Sequence, residues 1–471
     1  MEMVIYDTRQ RKKVQFQSLK PGLVHLYTCG PTVYADAHIG NYRTYVFEDL
    51  LRRSFEYIGY KVKQVMNLTD IDDKTIRKSR ENGVALKEFT APIIDRFFRD
   101  LDELKIQRAD HYPAATEHIP DMINMISKLL EKGYAYIVDG SVYFSIEKYA
   151  EYGKLSGMKL DKMARGVRID ADEYDKDNFR DFALWREWSE ADGEVKWEAP
   201  FGAGRPGWHI ECSAMSMKYL GEQFDIHTGG VDNIFPHHEN EIAQSVCVTG
   251  KEFVKHWMHS AHLIFEGEKM SKSLGNISTL RELMDQGYSS RSIRYVLLTT
   301  HYRQQINFTD TVIKASVASL DRLDTLRQAA SEASLSGPVR SEISEAISAA
   351  TIKFASGLAD DLAISSAMAA LFDFVSTVHR ISNNLPLVKS EGEQILSFWK
   401  EIDKVLAFLF PSDEFPLYIT DKIKERINAR SEKKWELSDN IRDELSKLGY
   451  ELEDSPHGTT VTGSEGRVLI K

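Results

Sequence analysis

The apolar run VHLYTC at 24–29 predicts a buried strand, closed by Gly30 and Pro31. From Ile39 to Tyr57 the period changes. Tyr42, Tyr45, Val46, Leu50 and Phe55 fall near helical spacing, and Gly59 ends the run. KVKQVMN at 61–67 returns to strand character. Strand, loop, helix and second strand make a parallel crossover unit, the building block of a Rossmann-like α/β sheet. Residues from about 85 to 135 read as helical, and GSVYFSI at 140–146 reads as a strand. A stretch rich in Asp, Lys and Gly from about 160 to 205 reads as an insertion between two halves of the sheet. FDIHTGG at 224–230 is strand then loop. Pro236 stands where a helix carrying HHENEIAQSVC can begin, since proline is tolerated in a first helical turn. Beyond about 310 the pattern is helical, interrupted by SLSGP at 334–338 and PSDEFP at 411–416. Two short helical stretches and three strand-like pieces, ELED, TTV and RVLI, close the chain. The expected organisation is a parallel-sheet α/β domain at 1–315, with its insertion at about 85–205 and a lysine-bearing loop at about 260–280. A helical bundle at 316–410 and a small α+β domain at 411–471 follow.

The 471 residues suffice for two to four domains at roughly 100–200 residues each. No segment approaches the roughly 18 apolar residues of a membrane span, and MEMVIYDTRQRKKVQF lacks the apolar run of a signal peptide. A cytoplasmic protein without a membrane partner is therefore expected. The three cysteines, Cys29, Cys212 and Cys247, are too few and too odd in number for a disulfide framework. In a reducing compartment such residues are core positions, metal ligands or nucleophiles. A net charge of -11 counts against broad nucleic-acid binding but leaves room for a local basic face. Composition by itself favours a small-molecule enzyme.

His38-Ile39-Gly40-Asn41 stands directly after a strand and at the start of a helix. A helix N-terminus presents free N–H groups and partial positive charge, which suits a phosphate. Gly40 allows a bulky nucleotide to approach, and His38 and Asn41 can donate to phosphate oxygens. The same residues also read as a strand–helix turn with a capping histidine. Further on, Lys269-Met270-Ser271-Lys272-Ser273 precedes Leu274-Gly275-Asn276. Two lysines three apart on such a loop can pair with a polyphosphate and stabilise a departing pyrophosphate. Alone, the loop reads equally as a solvated surface segment. Together the two motifs resemble the class I aminoacyl-tRNA synthetases, whose paired signatures are written HIGH and KMSKS. The second is intact here. The first ends in Asn41 rather than histidine, which keeps a donor and gives up the capacity for positive charge.

A third constellation is chemically distinct. Cys29 ends the first buried strand, Cys212 lies in GWHIECSAM, and His237 and Glu241 stand four apart, on one face of a helix. Two thiolates, an imidazole and a carboxylate can make a zinc site. The residues are scattered, with no CxxC pair, and also read as two buried cysteines and a helix-start histidine. His238 faces Glu241 equally well at a spacing of three, so spacing does not choose between the histidines.

YTCGPTVY around Cys29, GRPGWHIECSAM, FDIHTGGVDNIFPHHENEIAQS and EKMSKSLGN together resemble the cysteinyl-tRNA synthetase family, and the likeness runs over most of the chain. The resemblance implies one zinc ion on Cys29, Cys212, His237 and Glu241, selecting His237 over His238. It implies that His38, Asn41, Lys269 and Lys272 act in catalysis, with Gly40, His38 and Lys272 at ATP and Mg2+ beside it. It places Thr32, Trp208, His227 and Asp232 around the amino acid, with Asp232 pairing the substrate ammonium. Bland roles exist for these: Trp208 as core, Asp232 as a cap or turn residue, Thr32 as a loop hydroxyl. Asp70, Asp72 and Asp73 in NLTDIDDK can order a loop or cap a helix, and Cys247 reads as core.

Near the end, Arg430, Lys433 and Lys434 precede Trp435, with Asp439 and Asp454 beyond. An exposed aromatic with flanking cations can stack bases, and carboxylates can accept from exocyclic amines of splayed bases. An ordinary helix surface has the same composition. The resemblance implies that Arg430, Trp435, Asp439 and Asp454 read the anticodon. It further implies that a monomer forms cysteinyl adenylate from L-cysteine and ATP, then passes the cysteine to tRNA(Cys). Zinc has a physical rationale in this setting. Pocket contacts separate near-isosteres such as cysteine and serine by only about 10–200-fold, whereas a soft thiolate binds zinc far better than a hydroxyl. A cysteine ligase acting on a small amine, a silent RNA-binding relative and a zinc hydrolase are the rival readings. The anticodon-type tail counts against the first, and the intact lysine loop counts against the other two.

Overall fold

The computed structural model describes residues 2–158, 168–169, 181–269, 278–383, 385–410, 417–448, 450–455, 458–463 and 466–470. The chain opens with an antiparallel hairpin, β1 (Val4–Asp7) and β2 (Lys12–Gln15), which the apolar pattern did not announce. The expected crossover follows as β3 (Leu23–Thr28), α1 (Ile39–Tyr57) and β4 (Lys61–Met66), with the two strands parallel.

The NLTDIDDK carboxylates order the next turn. Asp70 accepts from the Thr116 N–H and hydroxyl at 2.9 and 2.6 Å. Asp72 caps α2 (Asp73–Glu81), accepting from the Thr75 N–H at 2.6 Å. Asp73 pairs with Arg186 and Arg205. The region expected to be helical from about 85 to 135 is two helices, α3 (Leu86–Glu103) and α4 (Ile119–Glu131). An irregular stretch parts them, and it begins as Lys105 turns left-handed at φ 51°. A separate sheet then forms from β5 (Ala135–Val138), β6 (Ser141–Phe144), β7 (Arg168–Ile169), β8 (Asp181–Glu187) and β9 (Gly204–Pro206). Its order is β5-β6-β8-β7, with β9 on β8.

The chain returns to the first sheet through α5 (Trp208–Leu220), β10 (Phe224–Gly230), α6 (Glu239–Thr249) and β11 (Val254–Ser260). The helix expected to begin at Pro236 starts at Glu239. A wide turn over Ile234–His238 precedes it, broken by Phe235 in an extended conformation. The resulting sheet is wholly parallel, in the order β11-β10-β3-β4. A small sheet of β12 (Leu263–Phe265), β13 (Glu268–Lys269) and β14 (Ile306–Phe308) brackets α7 (Leu280–Asp285) and α8 (Ser290–Thr299).

Four helices follow: α9 (Asp310–Glu332), α10 (Ser341–Ala359), α11 (Ile364–Ser382) and α12 (Lys389–Leu406). Besides the expected break near 334–338, the chain turns at Asp361 and Leu362, both at positive φ. The tail is α13 (Leu417–Ser431), α14 (Trp435–Lys447) and an antiparallel sheet of β15 (Glu451–Ser455), β16 (Gly458–Gly463) and β17 (Gly466–Ile470). The expected break at 411–416 lies outside the described residues.

Apolar burial joins these elements into three cores. One runs from α1 (Ile39, Val46, Leu50) into the bundle at Leu371, Trp399 and Phe408. The second covers the opposite sheet face with Tyr27, Met122, Trp185 and Ile210. The tail has its own, around Ile423, Ile441, Leu445 and Val461. Among the described residues no helix is long and apolar enough to cross a membrane.

Candidate functional site

Cys29 follows β3 directly, and its position is set by Gly30, where a Cβ would run into the carbonyl oxygen of Asn67. The Gly30 N–H donates to Asn67 Oδ1 at 3.0 Å, which fixes the chain beside the end of β4. Cys212 comes from α5, His237 from the wide turn before α6, and Glu241 from the first turn of α6. Their ligand atoms all lie within 4.8 Å of one another, and all four residues are buried. His237 Nε2 is 3.4 Å from Cys212 Sγ and 3.1 Å from Glu241 Oε1. That carboxylate oxygen has no hydrogen bond. Thiol, imidazole and carboxylate atoms that converge on one point can together hold a cation. Burial lowers His237 to about 4, so its imidazole is neutral and able to ligate. Burial raises the Cys29 thiol and the Glu241 carboxyl, a cost that a bound cation would offset.

Spacing left His237 and His238 undecided, and the fold brings both in. In a second set, Cys29, His227, His238 and Glu241, the ligand atoms likewise lie within 4.8 Å of one another. His238 Nε2 lies 3.2 Å from Cys29 Sγ, and its Nδ1 is bonded to His259 Nε2 at 2.8 Å. His227 Nε2 takes Glu241 Oε2 at 3.0 Å, leaving Oε1 for the cluster. Glu241 is common to both sets, and the first alone holds both sulfurs, so it is the better soft-metal site. His209 adds a further contact, Nδ1 to His237 Nδ1 at 2.9 Å. His209, His238 and His259 thus surround the ligands. His209 was legible, three residues before Cys212 on one helix face. His259 was not, since only strand pairing of β11 with β10 brings it in.

The nucleotide-type loop lies alongside. His38 caps α1: its Nδ1 accepts from the Asn41 N–H at 3.3 Å, while Asn41 Oδ1 accepts from the His38 N–H at 3.0 Å. The capping role and a ligand role are compatible, because the cap uses Nδ1 and puts the neutral ring's proton on Nε2. Gly40 is the second residue of this helix. The far flank of the lysine loop docks on the same turn, where the Ile39 N–H donates to the Ser278 carbonyl at 2.9 Å and Thr279 bridges His38. Lys272 lies outside the described residues, and of Lys269 only the backbone, paired with Ile264, is described.

A family model described as the catalytic domain of class I (C) tRNA synthetases matches residues 15–318. The cysteine–tRNA ligase of Protochlamydia amoebophila is 47% identical over 463 residues, 97% of this chain and 96% of the relative. That of Chlamydia muridarum is 47% identical over 474 residues, 98% of this chain and 99% of the relative. The chain belongs to the cysteine–tRNA ligase family. The expected fold and enzyme class are both borne out.

Solved structures agree on the fold. A methionyl-tRNA synthetase of Mycobacterium tuberculosis, in complex with methionyl-adenylate, superposes with a TM-score of 0.60 at 16% identity, over 82% of this chain and 88% of that one. A leucyl synthetase ternary complex from Agrobacterium radiobacter K84 also gives 0.60, at 12% identity, over 84% and 85%.

Other residues singled out by the ligase family resemblance fall into two groups. Around the thiol–imidazole–carboxylate cluster, the Trp208 ring stacks on His237, centroids 4.4 Å apart at 26°. Asp232 is exposed and folds back over Gly230, where a Cβ would strike its carboxylate. Thr32 forms a parallel bridge with Thr69 at the loop mouth. In the tail, Arg430 donates to Asp454 at 2.9 Å, while buried Arg426 holds the same carboxylate with bonds of 3.0 and 2.8 Å. The Arg426 guanidinium keeps that carboxyl well below its usual range. Asp454 is thereby engaged within the fold and positions Arg430. Trp435 opens α14 at 56% exposed, and exposed Asp439 follows one turn later on the same face.

Proposed function

We propose that this protein joins L-cysteine to tRNA(Cys) at the expense of ATP, through a cysteinyl adenylate, as a cytoplasmic monomer. The observation that carries this reading is the juxtaposition of a buried two-thiol, imidazole and carboxylate cluster with a capped helix start that the lysine-loop flank touches. Cys29, Cys212, His237 and Glu241 would hold zinc. A bound zinc ion would supply a soft position that favours the sulfur of cysteine over the hydroxyl of serine. Trp208 walls the pocket beside His237, and Thr32 and His227 complete its lining. Asp232 at its rim pairs with the substrate ammonium.

ATP, with its magnesium, lies across the start of α1. His38, Gly40 and Asn41 receive the phosphates there, and the charges of Lys269 and Lys272 stabilise the departing pyrophosphate. The cysteine carboxylate attacks the α-phosphate, pyrophosphate departs, and a ribose hydroxyl at the tRNA 3′ end then displaces AMP. Positioning and charge do this work, and no protein nucleophile is needed. Residues 411–471 serve as the anticodon-binding domain. Trp435 offers a stacking face there, with Asp439, Arg430 and Asp454 beside it, and 316–410 is the helical span toward it.

The test is ATP-dependent charging of total tRNA with radiolabelled cysteine, with serine in parallel and with chelator. Cysteine charging that fails with serine and falls on metal removal is the expected result. Cysteine-dependent pyrophosphate exchange without tRNA charging would instead identify a ligase for a small amine acceptor.

A further inference from the structure

Three side chains stand in direct cross-strand register beneath the ligand cluster: Tyr27 of β3, His227 of β10 and Trp257 of β11. Strand alternation puts Tyr27 on the face that carries Cys29, two residues on. All three are fully buried. His227 meets the Tyr27 ring edge-on, centroids 5.1 Å apart at 73°, and stacks on Trp257 at 4.8 Å and 20°. The row is therefore wedged at both ends, and its middle member holds Glu241 Oε2.

The Tyr27 hydroxyl has no well-aligned hydrogen bond within the fold. It faces the thiols of Cys212 and Cys29 and the carboxyl of Glu241, with Cys212 within bonding reach. A buried hydroxyl is costly to leave unpaired, and the Cys212 sulfur is the acceptor in its reach. The chemistry of the cluster supplies the acceptor. Two thiolates and a carboxylate outweigh a divalent cation by one negative charge, and a substrate thiolate adds another. In a buried site that surplus calls for donors aimed at sulfur.

We propose that Tyr27 is a positioning residue of this centre, its hydroxyl donating to the Cys212 sulfur so that this ligand is held in place and the charge added by the substrate sulfur is partly offset. The inference rests on the zinc reading above and goes beyond it by assigning the outer partner of one ligand. Such partners set ligand orientation and basicity.

Tyr27→Phe removes one oxygen and keeps the ring against His227. By chelator competition its zinc Kd should rise roughly 10–100-fold, with the apo protein melting as wild type does. In the Co(II)-loaded protein the sulfur-to-metal charge-transfer band should move to lower energy, because a donor to sulfur stabilises the electrons being promoted. In pyrophosphate exchange KM for cysteine should rise more than kcat falls. 3,5-Difluorotyrosine at position 27, a stronger donor of nearly the same shape, should move the band the opposite way, which keeps the test available if the phenylalanine variant folds poorly. A Tyr27→Phe protein with a zinc Kd within about twofold of wild type and an unmoved Co(II) band overturns the proposal and leaves the zinc reading standing. A wild-type protein that takes up neither ion overturns both.

Discussion

Asp49 of α1 and Arg294 of α8 are 2% and 1% exposed, and they meet at 2.6 Å. The carboxylate also takes Arg53 Nε at 2.8 Å and the Gln107 N–H at 2.9 Å. Arg294 gives its remaining donors to the carbonyls of Leu104 and Leu406, both at 2.8 Å. One guanidinium thus ties the helix that His38 caps to the end of α3 and the end of α12. Asn at position 49 keeps the shape and an acceptor for Gln107 but removes the only full negative charge in these contacts, leaving two arginines in a buried place. Breaking such a pair from one side costs about 3–5 kcal/mol. For a unit this large the melting temperature should fall by roughly 2 °C per kcal/mol, so by about 6–10 °C.

The pH dependence gives a second reading of the same charge. Burial works to raise the Asp49 carboxyl, and Arg294 and Arg53 overcome it, leaving it below its ordinary value. A depressed carboxylate contributes stability that is present above its unfolded value, near 3.9, and lost as pH falls through the folded value. The wild type should therefore lose this contribution below about pH 4, and Asp49→Asn should show a shallower acid-side slope. Thermal melts of both proteins from neutral to acid pH measure both effects. A melting temperature within about 1 °C of wild type, with an unchanged acid slope, would refute the assignment of this pair as a structural tie.

His237→Ala should abolish metal loading, whereas His238→Ala should keep one ion bound roughly 10–100-fold more weakly; metal analysis after chelator washing decides, and the reverse order would assign the metal to the set containing His227 and His238. Gly30→Ala forces a Cβ toward the Asn67 carbonyl and should cost about 1–3 kcal/mol, with metal affinity falling alongside because Cys29 is adjacent; melts and metal titration that both match wild type would remove the close-approach argument. Trp435→Ala should raise KM for tRNA roughly 5–150-fold if its ring stacks a base worth about 1–3 kcal/mol, measured against pyrophosphate exchange, which needs no tRNA, and an unchanged KM would make the tryptophan ordinary surface.

Legibility in the sequence followed the strength of the period. The bounds Ile39 to Tyr57 read from the apolar spacing coincide with those of α1, because its core face is continuous and Gly59 stops it. β3 and β4 were readable as buried runs within a residue of their ends. β1 and β2 were not, because VIYD is short and KKVQ is polar and mostly exposed, so neither shows a sustained alternation. At the candidate ligand cluster, the spacing of His237 and Glu241 announced a contact that forms at 3.1 Å. It was silent on His238 because that residue reaches the cluster too, and what sets the first group apart chemically is its second sulfur, that of Cys212. Tyr27, His259 and Trp257 carry no local signal at all, since strand register alone brings them together.

That register also explains why the chemistry sits where it does. From β3 the chain crosses to β4 on one side, and from β10 it crosses to β11 on the other, so the connections diverge between β3 and β10. A parallel sheet opens a crevice beyond its carboxyl ends at such a switch point. Cys29 leaves the end of β3 at this crevice, Gly229 and Gly230 leave β10, and His259 and Ser260 leave β11. The glycines matter here, because a Cβ on Gly229 would crowd the His238 ring. The start of α1 and the turn leading into α6 follow these strand ends, and a helix start carries partial positive charge. The wall and the floor follow from one topology. Helix starts and strand ends place polar ligands at the mouth, while residues one pleat deeper, Tyr27, His227 and Trp257, become the packed layer beneath them. A change in that layer should therefore register at the metal before it registers in the fold, which is the order of effects that the Tyr27 variants would separate.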